Sequence, residues 1–198
     1  MGIPDRVLSA VNHMQNGAYE SALHDICSAI EPTAKAEYGG SGPEVYKRFV
    51  TENTLLITRL AFGGGGIGEM NFGFSHPRIR ETADGLSGFD AIVYTTIRCG
   101  LYHESSMPPN LVFHAGPEIE VKDDQLRLPS SIIHGIIIAV VVSPANADQT
   151  GGGSAGIVCG GVRVPFELLW GSRRELLWLL DVNLAVHRQS RDNSTASD

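Results

Sequence analysis

The sequence predicts a mainly α-helical domain carrying a small antiparallel β-meander, α+β overall. Three observations predict it. Apolar residues recur at helical spacing through the first hundred residues and again near the end. Glycines and prolines punctuate those stretches at the places where helices begin and stop. A short region around 110–128 alternates apolar and polar residues with turn residues between the runs. The expected organisation is one domain over 1–190, with the β insertion around 110–128, followed by a polar, disordered tail over 191–198.

The first strong helix spans about Gly17 to Tyr38, with Tyr19, Leu23, Ile26 and Ile30 on one face. Pro32 either kinks it or sits early in a second helix. Gly39, Gly40 and Gly42 end it. Pro43 opens the next helix, striped by Val45, Phe49, Leu56 and Leu60 and stopped by Gly63 to Gly66. The short turn between them predicts antiparallel packing. A looser segment from Ile67 to Leu86 leads to a third helix, from Ser87 or Gly88 through about Tyr102, with Val93, Tyr94, Ile97 and Leu101 facing the core. The meander follows: Leu111 and Phe113, Ile119 and Val121, Leu126 and Leu128, with turns at Gly116-Pro117 and Asp123-Asp124. Ile132 to Val142 is long for a strand and follows Pro129-Ser130-Ser131, so it reads as a buried helix. Thr150 to Gly161 reads as a glycine-rich loop, and Val162, Val164 and Phe166 as a further strand. A last helix starts at Ser172, with Ser172 and Glu175 as a capping box and Leu176, Leu179, Leu180 and Leu184 as its face.

Composition bounds the function. The chain is 42% hydrophobic and 19% charged, enough apolar material for a core. Its 15 basic and 22 acidic residues leave a net charge of −7, so any nucleic acid must be held by a few placed cations. Cys27, Cys99 and Cys159 are too few and scattered for a disulfide scaffold and suggest a reducing, cytoplasmic setting. The start carries Asp5 and no long apolar core, unlike a secretory signal. The most apolar stretch, Ile132 to Val142, falls short of the roughly 20 residues that span a bilayer, so no membrane association is expected.

The segment TTIRCGLYHESS, in the third helix, carries the candidate chemistry. Arg98 and His103 are five residues apart, about 140° around a regular α-helix. They flank an outward face on which Thr95, Cys99 and Tyr102 lie, with Ile92 one turn back. Such a strip suits contact with a second copy, and two-fold pairing would bring two Arg98 and two His103 into one cleft. A guanidinium fork matches phosphate oxygens, and an imidazole exchanges protons near neutral pH. Tyr102 is a candidate for positioning substrate, and Arg78 and Arg80, beside His76, for lining an RNA path.

Two antiparallel helices followed by a helix ending Arg98-Cys99-Gly100-Leu101-Tyr102-His103 resemble the HEPN superfamily, which is defined by an Arg, four to six intervening residues and a His. The resemblance covers roughly Gly17 to Glu104. It implies a HEPN-like helical bundle that forms a homodimer through the motif helix, directed at RNA. Many such proteins are metal-independent endoribonucleases of defence or toxin–antitoxin systems, acting beside an antitoxin-like partner; others are non-catalytic dimerisation or ligand-binding modules. Carried over, Arg98 would stabilise a phosphorane-like transition state and His103 would move the proton, without metal or cofactor. Active members usually place a polar residue directly after the Arg; here that position is Cys99. Cys99 and His103 also stand at metal-ligand spacing, but a zinc site needs about four ligands. Gly63 to Gly68 lacks the Lys-Ser or Lys-Thr of a phosphate loop. Arg173 and Arg174 in the first turn of the last helix read as solvated charges, and His114, His134 and His187 as structural.

Overall fold

The computed structural model describes residues 1–63, 66–159 and 162–182. Helix α1 is Ile3–Gln15, α2 is Tyr19–Tyr38 and α3 is Pro43–Phe62. Helix α4 covers 89–104: it opens at Phe89–Ala91 and continues in π-helical geometry over Ile92–Arg98 and Gly100–Glu104. Strands β1 (Asn71–Phe72) and β2 (Ser87–Gly88) precede it; β3 (Leu111–His114), β4 (Glu120–Lys122) and β5 (Gln125–Pro129) follow. Then come α5 (Ser131–Val141), the hairpin β6 (Gly156–Cys159) and β7 (Val162–Pro165), and a last helix α6 over 173–182. The architecture is mainly α with small β elements, and none of the described helices is long and apolar enough to cross a membrane.

The core is built around α5. Every described side of this helix is buried except at His134, as expected of a helix apolar all round. Its neighbour α3 comes so close that a Cβ on Gly135 would stand 2.6 Å from the Ile57 carbonyl oxygen. Only glycine permits that approach. At its C-terminal end, the Val140 carbonyl accepts from Asn146 Nδ2 at 2.7 Å and the Val141 carbonyl from the Gly171 N–H at 3.1 Å. Orphan carbonyls of the last turn are thereby satisfied.

Glu37, near the end of α2, ties three elements together. Arg173 of α6 donates to both its carboxylate oxygens, at 2.6 and 2.9 Å, and Ser143 Oγ donates to Oε2 at 2.6 Å. Arg173 is therefore paired and not solvated as its position in a first helical turn suggests. Ser172 does not cap α6: its hydroxyl turns back and donates to the Leu169 carbonyl at 2.7 Å.

Pro32 sits inside an unbroken α2. Lacking an N–H, it frees the Ser28 carbonyl one turn back, and that oxygen accepts instead from the Arg6 guanidinium of α1. Helix α1, which sequence periodicity did not pick out, thus packs on α2 through both Val7 and Ala10 and this polar contact.

The three strands after α4 stand where the alternation places them, but they do not form a meander. β4 and β5 make an antiparallel hairpin through Asp123 and Asp124, both with positive φ, while β5 pairs in parallel with β3, giving the order β3-β5-β4. The intervening loop is held by His114, whose Nδ1 accepts from Gly116 N–H and whose Nε2 lies 3.0 Å from the Glu118 carbonyl. That clamp turns the chain away from β3 and leaves its edge to β5. The segment before α4 is likewise anchored, with Met70, Phe72, Phe74 and Ile79 buried and Ser87 Oγ donating to the Phe74 carbonyl at 2.6 Å. The strand expected at Val162 is β7, paired with β6; Leu184, His187 and the tail over 191–198 lie outside the described residues.

Burial alone would raise the Glu37 carboxyl, but Arg173 and Ser143 hold it below its ordinary value. A depressed carboxyl contributes stability that is present above the unfolded value, near 4.3, and lost as pH falls through the folded one. Glu37→Gln should therefore cost about 1–3 kcal/mol at pH 7. Its urea-unfolding stability should also fall less than that of the parent protein on acidification below about pH 4.

Candidate functional site

Helix α4 is wider than a regular α-helix, and its burial pattern says why. The buried pairs Ile92–Val93, Thr96–Ile97 and Gly100–Leu101 recur every four residues, a longer period than 3.6. Bonds closing from i to i+5 match that longer repeat. Ile92 consequently lies fully in the core and not on an outward strip with Cys99.

Helix α2 turns His24, Ser28 and Glu31 to one side, at spacings of four and three residues. Arg98 of α4 meets the last of these: its Nη2 donates to Glu31 Oε2 at 2.9 Å, and its side chain is only 20% exposed. Its guanidinium carbon lies 5.5 Å from the Tyr94 ring centre and 5.3 Å from that of Tyr102, and its Nη1 is 4.0 Å from Cys99 Sγ. Burial works against the charge, but Glu31 and Cys99 more than offset it and push the guanidinium above its usual value. Tyr102 in turn stacks on His24, with ring centres 4.8 Å apart and planes inclined by 14°, and its hydroxyl donates to Ser28 Oγ. Lys47 Nζ also stands 5.9 Å from the Tyr94 ring centre. Lys47, Tyr94, Arg98, Tyr102 and His24 therefore form a continuous ladder of alternating cations and rings, ending in an imidazole.

Beneath the ladder lie buried groups of α2 and α3. Tyr46 packs edge-on against Tyr94, with centres 5.2 Å apart and planes at 65°, and its buried hydroxyl lies against the Cys27 thiol, a weak partner. Burial pushes the neighbouring Cys27 thiol up to about 12, so it is an inert thiol at neutral pH.

Beside the His24 end lies a cleft of about 420 Å³, between α1, α2 and the end of α4. His13, Glu20, Ser21, His24, Asp25 and Ser105 line it over Leu101. Asp25 stands between two imidazoles, with Oδ2 3.6 Å from His13 Nε2 and Oδ1 3.8 Å from His24 Nδ1.

Comparison with protein families gives a match to the Rv1289 family over residues 2–193. The chain belongs to the Rv1289 family. Searches of curated proteins and of solved structures each found no match.

In this Rv1289-family chain the residues singled out from sequence divide into two groups. Arg98 and Tyr102 are brought together, through α2 of their own chain. His103 is exposed and, among the described residues, has no hydrogen-bond or ionic partner. Arg78 reaches the same end of α4 but is paired with Glu104, while Arg80 is exposed. Cys99 and His103 gain no further ligands: among the described residues no three His, Cys, Asp or Glu side chains converge to hold a metal. His13, Glu20, His24, Asp25 and Glu31 escaped the sequence reading, although His24, Ser28 and Glu31 share one helical face and His24 and Asp25 are adjacent.

A buried hydroxyl whose partner is a thiol gains little from so weak a bond. Tyr46→Phe should accordingly change the unfolding free energy by less than about 1 kcal/mol, whereas Tyr102→Phe, which strips Ser28 of its donor, should lower it by about 1 kcal/mol, both read by denaturant unfolding.

Proposed function

We propose that this Rv1289-family protein is a HEPN-like, RNA-directed module that binds a single strand along the α2–α4 face and does not cleave it. The ladder of Lys47, Tyr94, Arg98, Tyr102 and His24 carries this reading. Cations spaced between ring faces suit a backbone of phosphates with bases attached, because each base has a π-face and each phosphate a charge. With a net charge of −7, such a protein needs its few cations in one place. Binding is favoured over cleavage because the Arg98 guanidinium is committed to Glu31 and two rings, while His103 makes no contact with it and has no hydrogen-bond or ionic partner among the described residues. The module would work in the cytoplasm as a homodimer through α4, beside an antitoxin-like partner.

A second reading is a metal-independent endoribonuclease. Its support is the exposed imidazole of His103 at the end of α4, near the Arg78–Glu104 pair. In that case His103 would take the proton of the 2′-hydroxyl as its oxygen attacks phosphorus, Arg98 would stabilise the pentacoordinate phosphorus, and the P–O5′ bond would break, leaving a 2′,3′-cyclic phosphate on one fragment and, once water protonates the departing oxygen, a 5′-hydroxyl on the other.

One experiment separates them. A labelled single-stranded RNA 12-mer is incubated with the protein in EDTA, and both anisotropy and strand length are read. The binding module predicts a complex that weakens about tenfold in Arg98→Ala, because Tyr94 and Tyr102 lose the guanidinium that holds their rings in register, with the strand intact. Cleavage by the parent protein that disappears in His103→Ala would establish the enzyme instead, and no complex at all would remove both.

A further inference from the structure

The cleft at the end of the ladder has a chemistry of its own. Among the described residues no Lys or Arg lines it. Two carboxylates do, and an ionised carboxylate can only accept hydrogen bonds. Glu20 is exposed and has no hydrogen-bond or ionic partner among the described residues. Asp25 is 13% exposed; its buried Oδ2 faces His13 without a hydrogen bond, and its Oδ1 lies beside His24. The imidazole of His24 is half exposed, with Tyr102 stacked on one side and the cleft on its flank.

We infer that this cleft is a base subsite selecting guanine. It rests on the single-strand reading of the α2–α4 face and names the base that face would prefer. A phosphate is repelled by Glu20 and Asp25, and the two imidazoles that line the cleft, His13 and His24, both face Asp25. A neutral planar ring with adjacent N–H donors fits: it extends the stack past His24 and offers its donors to waiting acceptors. Guanine carries its imino N–H and its exocyclic amine side by side, matching the two oxygens of the exposed Glu20 carboxylate, while Asp25, turned toward His13 and His24, adds negative charge behind it. Adenine and cytosine present the amine alone. Uracil presents one N–H between two carbonyl oxygens, which the carboxylates oppose. A volume of about 420 Å³ lies in the range of small-ligand sites.

Calorimetric titration of the full chain with guanosine, inosine, adenosine and uridine tests this. Guanosine should bind about tenfold tighter than uridine, the discrimination expected of one bidentate pair, with inosine, which lacks the amine, between them. The double variant Glu20→Gln, Asp25→Asn should erase that order. His24→Ala should weaken all four nucleosides together, and His24→Phe should restore them. Equal binding of guanosine and uridine, no guanosine binding, or a preference untouched by the double variant would overturn the assignment. A guanosine preference in a protein that fails to bind the RNA 12-mer would leave the cleft assigned and remove the single-strand reading.

Discussion

The α4 side of the molecule depends on a polar seam along α2. A helix that spent its whole circumference on apolar packing would leave Arg98 without a counter-charge in a mostly buried position, an arrangement that costs several kcal/mol. Helix α2 instead offers Glu31, Ser28 and His24 on one face, and α4 answers with Arg98 and Tyr102. The seam also reaches α1, because Pro32 frees the Ser28 carbonyl for Arg6. One short stretch of α2 thus orients helices on both of its flanks.

This arrangement has a consequence for chemistry. A guanidinium packed between two tyrosine rings and bonded to a carboxylate is well placed but committed, so its value lies in holding a surface in register. The rings that hold it are themselves the surface. Among the described residues, groups without a hydrogen-bond or ionic partner lie to either side: the imidazole of His103 at the end of α4, and the carboxylate of Glu20 in the cleft near His24. At the opposite end of α2, Glu37 performs a comparable fixing role for α5 and α6. Two carboxylates of α2, Glu31 and Glu37, therefore position α4 on one side and α5 and α6 on the other.

Much of the fold was legible in the sequence. The spacing of Leu23, Ile26 and Ile30, the stop at Gly39 and the proline at position 43 mark α2 and α3 correctly, and the apolar run from Ile132 reads as the helix it is. Helix α1 was passed over although its signal is present: Ile3, Val7, Ala10 and Met14 recur at helical spacing, and the last three form its buried face. The parallel pairing of β3 with β5 was not legible, since alternation reveals strands but not their order. In α4 the four-residue recurrence of apolar pairs was present, yet a regular 100° step turned Ile92 outward. The site was half legible. Arg98 and Tyr102 could be picked out as a pair, but Glu31, His24 and His13 come from helices more than sixty residues earlier in the chain, and only their packing brings them to the same place.

The stack of His24 on Tyr102 joins the seam, the ladder and the cleft, so it is the contact to observe. A two-dimensional NOE spectrum of the full chain in solution reads it directly. Cross-peaks between the imidazole carbon-bound protons of His24 and the ring protons of Tyr102, disappearing in His24→Ala, are what ring centres 4.8 Å apart require. Assigned resonances of both rings with no cross-peak between them would contradict the account.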